Sequence, residues 1–126
     1  MVKRIMIIDD DREFLEEINE MLKASGYNTI LLSDSKKAVD KVCEYKPDVL
    51  LLDIKMEGAS GFKIADELRR IPEAKSIPLI GVTGFYTEDE HKLFMKMCGI
   101  KTVIIKPFRP LDVIVAIERA IGGDLR

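Results

Sequence analysis

Five short apolar runs, spaced along the chain, constrain its fold more than any other feature. Each run is continuously apolar rather than alternating, which is typical of a strand covered on both faces of a sheet. The segments between the runs carry apolar residues at helical spacing, with Gly26 ending the first and Pro110 opening the last. The runs cover residues 5–8, 29–32, 49–52, 79–82 and 102–105.

The alternation of runs and helical segments predicts an α/β fold, a doubly wound five-stranded parallel sheet with helices on both faces. A capping-box pattern at Thr87 and Glu90 predicts the start of the fourth helix. The length of 126 residues is that of one ordinary domain, and we expect residues 1–126 to form a single domain. Ligands of such sheets bind at the carboxyl ends of the strands.

Composition narrows the class of protein. With 47% hydrophobic and 33% charged residues, the chain is expected to fold, and a net charge of −2 argues against a nucleic-acid binder. No apolar run is long enough for a membrane span, and the start of the chain does not resemble a signal peptide. Cys43 and Cys98 lack metal-site or redox spacing and are expected to be small apolar residues in a reducing compartment. We therefore expect a soluble, cytoplasmic protein without direct contact to nucleic acid or membrane.

Charged and hydroxyl side chains follow four of the five runs. An aspartate after a strand is often only a turn residue or a helix cap, and we assign that role to Asp11. Such side chains at the ends of four strands are not expected by accident. The carboxyl ends of parallel strands meet at one edge, so the whole set would lie close together there. Its members are Asp9, Asp10, Asp53, Thr83 and Lys106.

The charges of this set indicate its chemistry. Asp9, Asp10 and Asp53 sum to −3, Lys106 adds +1, and a divalent cation would bring the cluster to neutrality. Oxygen ligands at this charge favour Mg²⁺, an ion that also binds phosphate. A carboxylate shielded by these cations can attack a phosphoryl group, with Thr83 donating a hydrogen bond to a phosphoryl oxygen. The residues alone thus predict a metal-assisted phosphoryl site.

The segments IMIIDDD, VLLLDIKMEGASGF, LIGVTG and VIIKPF resemble the receiver domain of two-component response regulators, of the chemotaxis-regulator type, over essentially the whole chain. The resemblance implies a flavodoxin-like (βα)5 fold with strand order 2-1-3-4-5. It implies that Asp53 is the phosphoacceptor. It also implies that Mg²⁺ is held by Asp53, by Asp10 directly, by Asp9 through water, and by the backbone carbonyl of Lys55.

Two further residues take their roles from the resemblance. Thr83 matches the switch hydroxyl, and Lys106 matches the lysine that pairs with the acceptor or its phosphate. The Lys106–Pro107 peptide is expected to be cis, as is usual in the family. The chain departs from the family at Val103, where the aromatic residue that usually reads out phosphorylation is often found. A long side chain at Lys55 and a bulky one at Phe85 are expected to slow hydrolysis of the aspartyl phosphate.

The partners also follow from the resemblance. A sensor histidine kinase or phosphotransfer protein would present a phosphohistidine, from which Asp53 takes the phosphoryl group. The chain is then a signalling phosphoacceptor that catalyses its own phosphorylation and slow autodephosphorylation, rather than an enzyme acting on a separate substrate. Phosphorylation is expected to move the loops after the fourth and fifth strands. A surface of the fourth helix, fifth strand and apolar fifth helix would then bind a second copy or an effector.

Four other classes of protein compete with this interpretation. A phosphatase of the haloacid-dehalogenase type needs an acid where this chain has Lys55. A flavin-mononucleotide binder would place a hydroxyl- and glycine-rich loop where this chain has three aspartates, and a dinucleotide binder would need a glycine fingerprint that is missing. A receiver-shaped binding module that is never phosphorylated stays open.

Overall fold

The computed structural model describes residues 2–56, 59–84, 96 and 98–122, and of residues 59 and 101 it describes the backbone alone. Parallel strands and helices alternate through these ranges, as the apolar runs predict. A short antiparallel strand pair, Lys55–Met56 with Ala59–Ser60, follows the third strand. The main elements are β1 (Arg4–Ile8), α1 (Arg12–Ala24), β2 (Asn28–Leu32), a 3₁₀ turn (Ser35–Lys37), α2 (Ala38–Tyr45), β3 (Val49–Asp53), α3 (Gly61–Arg69), β4 (Leu79–Thr83), β5 (Ile100–Ile105) and the last helix (Pro110–Gly122).

The five strands form one parallel sheet in the order β2-β1-β3-β4-β5, which confirms the predicted doubly wound topology. The chain moves outward from β1 to β2 and then crosses back to β3, on the other side of β1. The switch in strand order therefore lies between β1 and β3. In their shared register Ile8 is the partner of Leu52, so the next residue on each chain, Asp9 and Asp53, meets the other at one edge.

Two apolar layers cover the sheet, one on each face. Met6 and Leu50 point into one layer, while Ile5 and Leu51 point into the other, as the pleat of a strand requires. The three central strands are buried along nearly their whole length. The expectation that every run is covered on both faces is wrong for the edge strands, where Leu31 is 38% and Ile105 46% exposed, because an edge strand has a neighbour on one side only.

Local signals set the ends of the helices. The side chain of Asp11 caps α1 by accepting a hydrogen bond from the backbone N–H of Phe14 at 3.2 Å, which confirms its predicted role. Gly26 has a φ of +93° just after α1, a conformation that favours glycine. Pro110 opens the last helix as predicted. The predicted fourth helix lies outside the described residues.

None of the helices in the described ranges has both the length and the apolar character needed to cross a lipid bilayer. The last helix buries Val113, Ala116 and Ile117 against the sheet. Its intervening Ile114 and Val115 are half-buried.

Arg69 connects the end of α3 to two segments at the amino ends of β4 and β5. Its guanidinium donates to the carbonyl oxygen of Lys75, to that of Cys98 at 3.2 Å and to that of Gly99 at 2.7 Å. Gly99 has a φ of +80°, and a Cβ there would lie 2.1 Å from the Arg69 Nε. A planar group with several fixed donors suits such an array of carbonyl oxygens.

We predict that Arg69→Met lowers the free energy of unfolding by about 2 kcal/mol, because charge-assisted hydrogen bonds to backbone carbonyls are lost. Arg69→Lys is expected to recover little of this, since an ammonium cannot span three acceptors. Urea unfolding followed by circular dichroism measures both variants.

The matched control for Arg69 is Arg70→Met. The Arg70 side chain is 78% exposed and forms an ion pair with Asp66, so its loss should change the free energy of unfolding by less than about 0.5 kcal/mol. Equal effects at the two positions would contradict a structural role for the Arg69 contacts.

Candidate functional site

The switch point between β1 and β3 brings three carboxylates together. One oxygen each of Asp9, Asp10 and Asp53 lies within 4.8 Å of the others. Asp9 is fully buried, Asp53 is 6% exposed, and Asp10 is exposed. These are the acids that the sequence places at the carboxyl edge, and their proximity follows from the register of β1 and β3.

Asp9 is held from several directions. Its Oδ1 accepts a hydrogen bond from the backbone N–H of Asp11 at 2.9 Å, and its Oδ2 accepts one from the Nζ of Lys106 at the same distance. Its own backbone N–H donates to the carbonyl of Leu32 at 3.1 Å. A buried carboxylate needs such partners, since leaving its charge unpaired would be costly.

Lys106 follows β5 and reaches into the acidic cluster. Its ion pair with Asp9 joins a side chain that is 24% exposed to one that is 1% exposed. The sequence predicted that Lys106 pairs with Asp53 or with a phosphate on it. It did not predict the observed partner, Asp9. The Lys106–Pro107 peptide is cis, as predicted.

Thr83 is the last residue of β4 and is buried, with 3% of its surface exposed. In the register of β3 and β4, Asp53 is the partner of Val82, so Thr83 lies one step further toward the carboxyl edge. The Thr83 carbonyl accepts a hydrogen bond from the backbone N–H of Lys106 at 2.7 Å. The ends of β4 and β5 are therefore linked directly at the site.

The surroundings of Asp53 raise its pKa from 3.8 to about 7. Burial is the largest cause, followed by the negative charge of Asp9, with a smaller contribution from Asp10. The backbone N–H of Lys55, 3.1 Å from Oδ1 of Asp53, and the Lys106 ammonium act in the opposite direction. The cluster thus disfavours a third negative charge until another cation compensates for it.

The loop after Asp53 depends on a glycine that sequence reasoning did not select. The backbone N–H of Gly61 donates to the carbonyl of Ile54 at 2.9 Å. A Cβ on Gly61 would lie 2.4 Å from the carbonyl oxygen of Asp53 and 2.7 Å from the Cα of Ile54. No other residue fits without moving the backbone of the acidic residue. The only sequence signal was a glycine opening a helix shortly after Asp53.

A largely buried acidic cluster beside a lysine, at the switch point of a doubly wound parallel sheet, defines a class of α/β protein with an edge site whose oxygens could hold a cation. Comparison with known proteins narrows this class. The family model described as the response regulator receiver domain matches residues 5–118. The chain belongs to this family of signalling domains, whose members act as phosphoacceptors.

Relatives and solved structures agree with this assignment. The polar-differentiation response regulator DivK of Brucella anthropi is 31% identical over 123 residues, which cover 97% of this chain and 98% of DivK. The chemotaxis protein CheY4 of Vibrio cholerae has the same fold, with a TM-score of 0.89 and 23% identity over 95% of this chain and 99% of that one.

A third similar structure is the receiver domain of a sensor histidine kinase from Pseudomonas aeruginosa, solved with a magnesium ion coordinated in its active-site cleft. Its TM-score is 0.87 and its identity 22%, covering 97% of this chain and 99% of that one. At this identity the likeness supports the shared fold.

We predict that Asp53→Asn changes the pH dependence of stability in the absence of divalent ions. The folded wild type keeps a proton on Asp53 that the unfolded chain loses at lower pH, so this group makes the wild type less stable as pH rises from about 4 to about 7. The variant lacks this ionisation. Its stability advantage over the wild type should therefore be larger at pH 8 than at pH 5, as measured by urea unfolding.

Asp66→Asn, which changes an exposed acid on α3, is the matched control and should shift stability similarly at both pH values. Addition of Mg²⁺ at pH 8 should stabilise the wild type more than Asp53→Asn. If the free energies of unfolding of the wild type and of Asp53→Asn changed with pH in the same way, a raised pKa of Asp53 would be ruled out.

Proposed function

We propose that Asp53 accepts a phosphoryl group from a phosphohistidine of a sensor histidine kinase or phosphotransfer protein, with Mg²⁺ bound beside it. The chain, taken as one receiver domain over residues 1–126, would act in the cytoplasm. The observation that carries the proposal is the convergence of Asp53 with Asp9 and Asp10 at one edge of the sheet. The receiver family, as a class, interacts with such kinases.

The donor set fits magnesium. Asp9, Asp10 and Asp53 supply only oxygen ligands, and the backbone carbonyl of Lys55 adds another; hard cations with oxygen shells prefer such sites. Both oxygens of Asp9 already accept hydrogen bonds from the protein, which suits a role through water, with Asp10 and Asp53 as direct ligands. When bound, the ion supplies positive charge that neutralises the acids and the phosphoryl oxygens.

The transfer exchanges one bond for another. A carboxylate oxygen of Asp53 forms a bond to phosphorus as the phosphorus–nitrogen bond of the phosphohistidine breaks, and the bonding pair stays on the imidazole nitrogen. The Lys106 ammonium, anchored on Asp9 at 2.9 Å, is placed to compensate for charge on the phosphoryl oxygens. The hydroxyl of Thr83 donates to one of them. Asp53 thereby changes from a charge of −1 to an acyl phosphate of about −2.

The same contacts supply a switch. Thr83 and Lys106 are joined by the 2.7 Å backbone hydrogen bond, so drawing either toward the phosphoryl group also moves the other. The loops after β4 and β5 would shift together. A difference of a few kcal/mol in contacts is enough to exchange two populated states.

We place the output surface on β5 and the last helix, together with the predicted fourth helix. A groove of about 630 Å³ runs between β5 and the last helix. Ile105, on the β5 side of the groove, is 46% exposed, and Leu111, on the helix side, is 62% exposed. Val103 is half-buried here, without the aromatic ring usual in the family. A second copy of the chain or an effector would dock on this surface.

Phosphorylation can be tested with phosphoramidate, a small donor with a phosphorus–nitrogen bond. We predict that the wild type, incubated with Mg²⁺, gains one phosphoryl group by intact mass, and that peptide mapping places it on Asp53. Asp53→Asn should gain none, and chelation of Mg²⁺ should abolish labelling of the wild type.

Asp66→Asn, on the surface of α3, should label like the wild type. A wild-type protein that binds Mg²⁺ but takes no label would favour the alternative of a receiver-shaped binding module.

The lifetime of the acyl phosphate is a separate prediction. Lys55 has an exposed side chain two residues after Asp53, while its backbone N–H binds the acceptor carboxylate. We propose that this side chain hinders water on its way to the phosphoryl group. Lys55→Ala should then hydrolyse at least about threefold faster, a change of about 0.7 kcal/mol in the barrier, as followed by loss of label.

Lys63→Ala, which removes an exposed lysine from α3, is the control and should leave the lifetime unchanged. The double variant Lys55→Ala/Phe85→Ala extends the test to Phe85, which lies outside the described residues. An unaltered lifetime in both Lys55 variants would remove the shielding hypothesis.

A further inference from the structure

The ammonium of Lys106 has a second contact besides Asp9. Its Nζ lies 3.9 Å from the centroid of the Phe14 ring, over the face of the ring. The same Nζ is 2.9 Å from Oδ2 of Asp9. The lysine is thus held between a carboxylate and an aromatic face. In the sequence, Phe14 stands out only as one of the apolar residues at helical spacing after the first run.

Phe14 is fixed by the elements that form the acidic site. Asp9 accepts a hydrogen bond from the backbone N–H of Asp11, and the side chain of Asp11 caps α1 by accepting one from the backbone N–H of Phe14. The first turn of α1 therefore places the ring relative to Asp9. Phe108, two residues after Lys106, packs edge-to-face on Phe14, with 5.8 Å between ring centroids and an interplanar angle of 84°.

This ring restricts a side chain that is otherwise flexible. A lysine has four rotatable methylene bonds and a compact charge that water solvates well. The Lys106 side chain is still 24% exposed, so an ion pair with Asp9 alone would compete with solvated rotamers. The negative face of an aromatic ring attracts an ammonium and favours the rotamer that lies over it. Phe14 and Asp9 together define one position for the charge.

We propose that Phe14 is a positioning residue for Lys106, holding its ammonium in the acidic cleft where a phosphoryl group on Asp53 would meet it. This role rests on the proposed function of Asp53. It assigns to the first turn of α1 a part in phosphoryl transfer, exerted through the lysine and without contact to the phosphoryl group.

Lysine NMR signals test the contact in the unphosphorylated protein. The ring current of Phe14 should shift the ε-methylene protons of Lys106 upfield in the wild type and in Phe14→Tyr. In Phe14→Leu these protons should move to ordinary lysine positions. Phe108→Leu, which keeps the ring under the ammonium, is the matched control and should retain most of the shift. Unchanged Lys106 signals in Phe14→Leu would overturn the proposal.

A double-mutant cycle with phosphoramidate tests the consequence. Phe14→Leu should label about fivefold more slowly than the wild type, and Phe14→Tyr at nearly the wild-type rate. In a Lys106→Met background, Phe14→Leu should cause no further loss. A merely structural role of Phe14 would slow labelling in both backgrounds and would overturn the proposal.

Phe14→Met, which also lacks a ring but nearly keeps the volume, replaces Phe14→Leu if circular dichroism shows that the latter does not fold. A wild-type protein that takes no label would overturn the proposed function of Asp53 and, with it, the role of Phe14 in transfer. The Lys106 signals would still decide whether the ring holds the lysine.

Discussion

Mutual repulsion of the carboxylates is the constraint on which the rest of this site depends. The switch in strand order brings the carboxyl ends of β1 and β3 to one edge, where Asp9 follows β1 and Asp53 ends β3. Fully buried Asp9 is tolerated because Lys106 and a backbone N–H satisfy both of its oxygens. Burial, together with the negative charge of Asp9, raises the pKa of Asp53 to about 7, because its own hydrogen bond and the more distant Lys106 compensate only in part. Three acids held this close together favour the binding of a further cation. In the receiver family, the site with this acidic cluster is where the phosphoryl group is accepted.

Sequence alone was sufficient for those features that arise from periodicity and topology. Continuous apolar runs predicted the strands, and the rule for carboxyl edges placed Asp9, Asp10 and Asp53 together. Contacts that depend on the approach of distant segments were not predictable in this way. The pairing of Lys106 with Asp9 and the ring of Phe14 beneath the ammonium belong to that second group. No periodicity in the sequence indicates with which of several nearby acids a flexible lysine forms its ion pair.

The two ends of the sheet differ in how they are held. At the amino ends of β4 and β5, Arg69 binds three backbone carbonyls across two segments. On the other face, the hydroxyl of Tyr27 donates to the carboxylate of Glu118 on the last helix, and burial, reinforced by that carboxylate, raises the pKa of the tyrosine to about 12. The carboxyl edge is held by the ion pair between Lys106 and Asp9 and by the backbone hydrogen bond between Lys106 and Thr83.

Gly61 lies close against the backbone of Asp53, the residue proposed to accept the phosphoryl group. Because a Cβ at Gly61 would collide with the carbonyl oxygen of Asp53, the path of the chain around the reacting group is fixed by sterics. The neighbouring Lys55 side chain is exposed and imposes no such restriction on the backbone. If Asp53 carries a phosphoryl group as proposed, exchange of the exposed Lys55 side chain would change how long it persists, whereas the backbone around Asp53 would stay as Gly61 fixes it.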